Sequence, residues 1–191
     1  MYSAGRTMNK KIVVIGGGAA GMIAALSAAE QEAQVTLLEP NERLGKKLNI
    51  TGKGRCNVTN NTDIEGLLAN IPRNGKFLYS AFNRFNSADT MNFFEKLGVQ
   101  LKTERGNRVF PVSDSAFDIS AALERRLKAL KVQVLRDRAS VLQAVQSIAP
   151  RPDRISPGVR HSATAEVLTQ QITENVSHIL CTSLLFCNKP M

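Results

Sequence analysis

A β-branched run that ends in three consecutive glycines constrains this chain more than anything else in it. Residues Lys11–Ile15 (KIVVI) are almost continuously apolar, the pattern of a strand buried on both faces of a parallel sheet. Gly16-Gly17-Gly18-Ala19-Ala20-Gly21 follows at once, and Met22–Ala33 is rich in Ala, Leu and Glu, which favours a helix. A second strand is expected over Gln34–Leu38 (QVTLL), ending on Glu39. Strand, glycine turn, helix, strand and acid stand in the order and spacing of a dinucleotide-binding unit, and so of an α/β, Rossmann-like fold with a parallel sheet.

Each residue type has a physical reason. Gly16 allows a tight turn out of the strand. Gly18, with no Cβ, lets a pyrophosphate approach the backbone. Gly21 lets the helix pack closely on the strand, and the helix N–H groups and dipole then face phosphate charge. Glu39 lies 18 residues beyond Gly21, where its carboxylate can accept hydrogen bonds from ribose hydroxyls and repel a 2′-phosphate. FAD or NAD is therefore favoured over NADP at this position. The alternative is a glycine turn that only packs a helix on a strand.

The segment Arg43–Asn60 (RLGKKLNITGKGRCNVTN) holds five basic residues, no acid and three glycines. It reads as a loop rich in backbone N–H donors placed just after the ribose-binding acid. A nicotinamide domain has no need of such a segment here, whereas a flavin has more surface to position. A plain basic surface loop is the competing reading.

Together, VVIGGGAAGMIAA, LLEPNERLGKKLNITGKGRCNVTN and GNRVFPVSDSA resemble the bacterial NAD(P)/FAD-dependent oxidoreductases of the BaiN/YhiN type, flavoproteins with a glutathione-reductase-like FAD domain. The resemblance covers about Lys10 to Ser140. It implies FAD as cofactor, with NAD(P)H as an electron donor and a small organic molecule as substrate. It implies that Gly16, Gly18, Ala20 and Gly21 hold the FAD pyrophosphate and that Glu39 holds the adenosine ribose. Lys46, Lys47, Thr51, Gly52, Gly54, Arg55, Cys56 and Asn57 would line the rest of the flavin site, and Val141 is matched to a backbone contact beside the adenine. Lys53 stands where the family usually has glycine, and a turn with φ > 0 there would be strained. Lys46, Lys47 and Arg55 are possible sources of positive charge near the flavin, and Arg108 could face an anionic ligand or solvent. Cys56 has no second cysteine at C-x-x-C spacing, so packing or flavin contact is expected of it rather than dithiol chemistry. No catalytic acid or base is assigned. Reduction of an activated alkene and oxidation of a small amine both remain open.

In the middle of the chain, Asn60–Arg84 is polar and turn-rich. A helix is expected from Ser87 to Leu97, stopped by Gly98, with Met91, Phe94 and Leu97 as its core face. Val99–Thr103 and Arg108–Phe110 read as a hairpin. Asp118–Leu130 is amphipathic, with Ile119, Leu123, Leu127 and Leu130 on one face, and Val132–Leu135 is the next strand.

Beyond Ser140 the character changes. Ala149–Gly158 contains three prolines, and Arg160–Met191 is rich in Ser and Thr. The organisation expected is an FAD-binding portion over 8–140 and a divergent, irregular or helical tail over 141–191, either truncated or frame-shifted or an authentic short variant. The sheet would then be incomplete. Residues 1–7 read as an extension before an internal start at Met8.

Composition bounds the function. The chain has 191 residues, with 25 Lys+Arg against 16 Asp+Glu and a net charge of +9, which favours anionic partners or simply a solvated basic surface. Trp is absent and aromatics are 5%, so no stacking platform for single-stranded nucleic acid is evident. Cys56, Cys181 and Cys187, with His161 and His178, lack metal-ligand spacing, and no metal is expected. Reduced thiols suit a cytoplasmic protein. No apolar stretch is long enough to span a membrane. An NAD-dependent dehydrogenase and a non-catalytic nucleotide- or RNA-binding remnant stand as the competing functions.

Overall fold

The computed structural model describes residues 10–137, together with Ala139, Val141 and Gln143. Expectations for residues 1–7 and for the rest of the tail, its histidines and Cys181 and Cys187 included, lie outside the described residues. Two small sheets share the described chain. The first holds β1 (Lys11–Ile15), β2 (Gln34–Leu38) and β6 (Gln133–Leu135) in the order β1-β2-β6. All its pairings are parallel, with Val13 opposite Thr36 and Leu38 opposite Leu135. The second is antiparallel, in the order β3-β5-β4, from β3 (Thr59–Asn60), β4 (Leu101–Glu104) and β5 (Arg108–Pro111). The expected hairpin is thus the β4–β5 pair.

Helix α1 (Ala19–Glu30) joins β1 to β2, and α5 (Ala116–Ala129) leads into β6. Helix α1 buries Ala19, Met22, Ile23, Ala24, Ala25, Leu26 and Ala28. A helix apolar on most of its circumference has to be buried on most sides, and α1 packs against β1, β2 and α5. Helix α5 contributes Ile119, Leu123 and Leu127, each about 1% exposed or less, to the same core. Leu130 packs at its margin. Removing a side chain such as Leu123 costs about 2–5 kcal/mol.

The described sheet does not cover β1 on both faces. Val14 is buried, but Val13 is 55% and Ile15 41% exposed. The topology explains this. Both crossovers step in one direction, from β1 to β2 to β6, and such connections are right-handed in about 98% of cases. Both connecting helices therefore fall on one face. Among the described residues nothing pairs with the outer edge of β1, so an apolar sequence that suits a central strand forms an edge.

The middle segment holds more regular structure than its polar composition suggests. Helix α2 (Ile64–Ala69), a 3-10 turn (Gly75–Leu78) and α3 (Tyr79–Arg84) enclose a second small core of Leu67, Leu78 and Phe82. Helix α4 (Ser87–Lys96) starts at a capping box. The Asp89 N–H donates to Asn86 Oδ1 at 3.0 Å and the Asn86 N–H to Asp89 Oδ2 at 2.9 Å, which satisfies two otherwise unpaired donors. Gly98 follows in the left-handed region (φ 83°). Phe94 is the buried anchor of this helix, at 1% exposure.

Candidate functional site: the glycine loop and the basic loop

Each of the first glycines does something different. Gly16 turns the chain at φ 101°, and its N–H donates to the Leu38 carbonyl at 2.8 Å. A Cβ on Gly21 would lie 1.8 Å from the Gly16 carbonyl oxygen, so glycine is required for α1 to sit against the turn. Around a Cβ built on Gly16 or Gly18 nothing lies within 4 Å. Gly18 is exposed and is the N-cap of α1. No side chain caps this helix, and its first turn carries no acid. The loop is therefore open toward solvent where the helix carries its partial positive charge, and Ala20 lies in that first turn. These features fit a phosphate-bearing group.

Glu39 closes the floor of the loop. It is 7% exposed, and its Oε2 accepts the Gly17 N–H at 2.6 Å. Its Oε1 accepts the Asn41 N–H at 2.8 Å and also the Asn41 side-chain amide. Three donors leave about one of a carboxylate's roughly four acceptor sites for a ribose hydroxyl. Asn41 in turn accepts from Lys46 Nζ at 3.3 Å. Gly17 has no room for a side chain, because its Cβ would lie 2.3 Å from Leu44 Cδ2.

The basic loop is joined to this floor. The Gly45 N–H donates to the Gly17 carbonyl at 2.8 Å, and the Asn49 N–H to the Gly45 carbonyl at 2.9 Å. The Thr51 hydroxyl closes the following 3-10 turn by donating to the Leu48 carbonyl at 2.7 Å. Gly52, Lys53, Gly54 and Cys56 all have positive φ, of 56°, 59°, 84° and 57°. Lys53 thus occupies a left-handed position, where a non-glycine residue costs about 1–2 kcal/mol. Lys46, Lys47 and Lys53 are exposed. Cys56 is 2% exposed and packs into the main core, beside a small apolar cavity lined by Ala19, Leu48, Val58 and Phe94.

Arg55 leaves the loop in a different direction. Its Nε donates to Asp114 Oδ1 at 2.8 Å, and its Nη2 reaches both Glu104 and Asp114. The guanidinium lies 4.1 Å above the centre of the Phe110 ring. Lys102 completes the cluster with a 2.8 Å contact to Asp114 Oδ2. The hydrogen bond from Arg55 holds the Glu104 carboxyl below its usual range. Lys102, and then Arg55, do the same for Asp114. Asn57 ties the loop to the hairpin, its Oδ1 accepting the Val109 N–H at 3.2 Å. Arg108 instead bonds the Arg105 carbonyl. Val141 is half-buried in helical backbone beyond β6.

Sequence reasoning missed Gly17, Asn41, Leu44 and Asn49. Gly17 is the middle glycine of a run of three, and that extra glycine was its signal. Asn49 is notable because its Oδ1 is buried without a hydrogen-bond partner among the described residues. Such an atom costs about 1–3 kcal/mol, and an N–H or O–H of a bound group would relieve it. The open glycine loop, the remaining acceptor site of Glu39 and this orphan acceptor together fit a dinucleotide.

Residues 10–156 match the HI0933-like protein Rossmann domain. The chain belongs to that family. The match runs past Ser140 into the proline-bearing stretch. Over 127 residues the chain is 39% identical to the 3-dehydro-bile acid delta(4,6)-reductase of Clostridium scindens, covering 65% of this chain and 30% of that protein. Over 107 residues it is 33% identical to the ribosomal RNA dihydrouridine synthase of Escherichia coli, covering 56% and 26%. A protein of the same description from Haemophilus influenzae is 26% identical over 137 residues, covering 71% and 33%. The chain thus spans a third or less of these relatives' lengths. Among solved structures, Thermovibrio ammonificans THI4 aligns with a TM-score of 0.44 and 12% identity, covering 67% of this chain and 37% of the other. No described helix is long and apolar enough to cross a membrane.

Proposed function

We propose that this chain is the FAD-binding part of an oxidoreductase that reduces a conjugated carbon–carbon double bond in a small organic molecule. The observation that carries the reading is the uncapped N-terminus of α1 behind an open Gly16–Gly18 turn, with Glu39 fixed beside it. Gly16, Gly18, Ala20 and Gly21 would receive the pyrophosphate on backbone N–H groups, and Glu39 would accept from the ribose. The basic loop from Lys46 to Asn57 would border the remainder of the cofactor, with Asn49 Oδ1 offering an acceptor to one of its donors. FAD, when bound, supplies a two-electron hydride carrier, with NAD(P)H as its source of electrons. The work of the chain's own residues is to orient that carrier and to surround it with fixed dipoles and charge.

The relatives support the choice of reaction. A delta(4,6)-reductase and a dihydrouridine synthase are both named for hydrogenating a carbon–carbon double bond. That common element favours alkene reduction over amine oxidation. A second reading replaces the small molecule by a uracil in RNA, supported by the names of two relatives and by the net charge of +9.

The test is a visible absorbance spectrum of the purified 191-residue chain, followed by titration with FAD and, separately, NAD. Flavin absorbance near stoichiometry, or saturable FAD binding, is expected. Binding of NAD without FAD would overturn the flavin reading in favour of a dehydrogenase. RNA binding that weakens with salt, at a slope set by the phosphates contacted, would shift the substrate to nucleic acid.

A further inference from the structure

We infer that Arg55 is a positioning residue that holds the Gly52–Cys56 backbone open for its ligand from outside, and that its guanidinium does not itself meet the cofactor. Where it concerns FAD, this rests on the flavin reading above.

The argument begins with strain. Four of the five residues from Gly52 to Cys56 have positive φ, and two of these, Lys53 and Cys56, carry side chains. Such conformations persist only where the surroundings impose them. Arg55 is the exception, at φ −97° and ψ −21°. It is also the residue of this run whose side chain makes hydrogen-bonded ion pairs with a distant element. Its partners, Glu104 and Asp114, are 49 and 59 residues away in sequence.

The geometry uses what distinguishes arginine from lysine. The planar fork engages two carboxylates while one face stacks on Phe110, a combination an ammonium does not reproduce. Phe110 is 3% exposed, and a Cβ on Gly52 would lie 3.3 Å from its ring. One ring therefore backs both the guanidinium and the glycine at which the left-handed run begins. The Val109 N–H donating to Asn57 Oδ1, and the Val58 N–H donating to the Val109 carbonyl at 2.8 Å, fix the loop's exit on the same strand. Glu104 and Asp114 also offset the positive charges of Arg55 and Lys102, so a bare cation aimed at a ligand is not what the structure builds here.

Amide hydrogen exchange at Gly52–Asn57 in the 191-residue chain without added FAD, together with FAD titration, tests this. The variants are Arg55→Lys, which keeps the charge and loses the fork, Asp114→Asn, and the pair combined. Exchange is expected to rise about two- to fivefold in each single variant, as partly exposed ion pairs allow, and the double variant to add little, because coupled residues do not add. FAD affinity should fall in both single variants alike. Unchanged exchange in both single variants would overturn the inference. So would loss of FAD affinity in Arg55→Lys with Asp114→Asn unaffected, which would place Arg55 on the cofactor. Should Asp114→Asn fail to fold, Glu104→Gln removes one carboxylate charge with little change of shape and gives the same comparison. If the unmodified chain binds no FAD, the flavin reading falls while the exchange data still decide the role of Arg55.

Discussion

Two loops border the candidate site, and they hold unusual backbone by opposite means. The glycine loop is encoded locally. Gly16 takes positive φ, Gly17 and Gly21 have no room for a Cβ, and one buried acid 22 residues from Gly17 accepts its N–H. The basic loop places lysine and cysteine at left-handed positions and relies on Arg55, Asn57 and a hairpin about 50 residues later in the chain. The first arrangement is cheap because glycine pays no steric penalty at positive φ. The second is strained and depends on partners that only folding supplies.

The largest effect should come from the glycine loop. Gly21→Ala sets a methyl 1.8 Å from a backbone oxygen, so α1 must shift, and a loss of more than about 3 kcal/mol is expected. Thermal or denaturant unfolding measures it, and a stable variant would mean that α1 has slack. Next is Glu39→Ala. It strands the buried Gly17 N–H and should cost about 1–3 kcal/mol while abolishing dinucleotide binding. Retained FAD binding in that variant would remove Glu39 from the ribose.

The basic loop should respond in the other direction. Lys53→Gly relieves a left-handed residue and should stabilise the protein by about 1 kcal/mol. A destabilised variant would mean that the lysine makes a compensating contact. Asn49→Ala should not destabilise the apo protein, because the lost acceptor is unpaired, yet should weaken FAD binding. Equal effects on both would make Asn49 structural.

Acid gives the smallest effect. Glu104 and Asp114 have lowered pKa values because Arg55 and Lys102 favour their charged forms. Their contribution is therefore present at neutral pH and is lost as pH falls below about 4, through those depressed values. Both groups are solvent-screened, so the change is slight. The difference in melting temperature between the unmodified chain and Asp114→Asn should close between neutral pH and strong acid. A gap that persists would show that the charges are not its cause.

Much of this was legible beforehand. The first two strands were readable to the residue because apolar runs bounded by glycine and acid leave little choice of period. The α5 face was readable from its helical spacing. The small core of Leu67, Leu78 and Phe82 was not, since its apolar residues are scattered over three short helical turns too brief to show a period. Nor was the exposure of β1, because an apolar run indicates suitability for burial and not whether neighbours arrive.

The sequence by itself determined the parallel βαβ unit, its glycine turn and the acid that supports it. These depend on interactions within about 30 residues, and steric exclusion at glycine is a property of the residue. Tertiary structure decided where Arg55 points, that Lys53 and Cys56 stand at positive φ, and that one face of β1 stays bare among the described residues. Each of those outcomes depends on a distant strand or helix meeting a given loop, and the pattern of a short segment carries no record of that meeting.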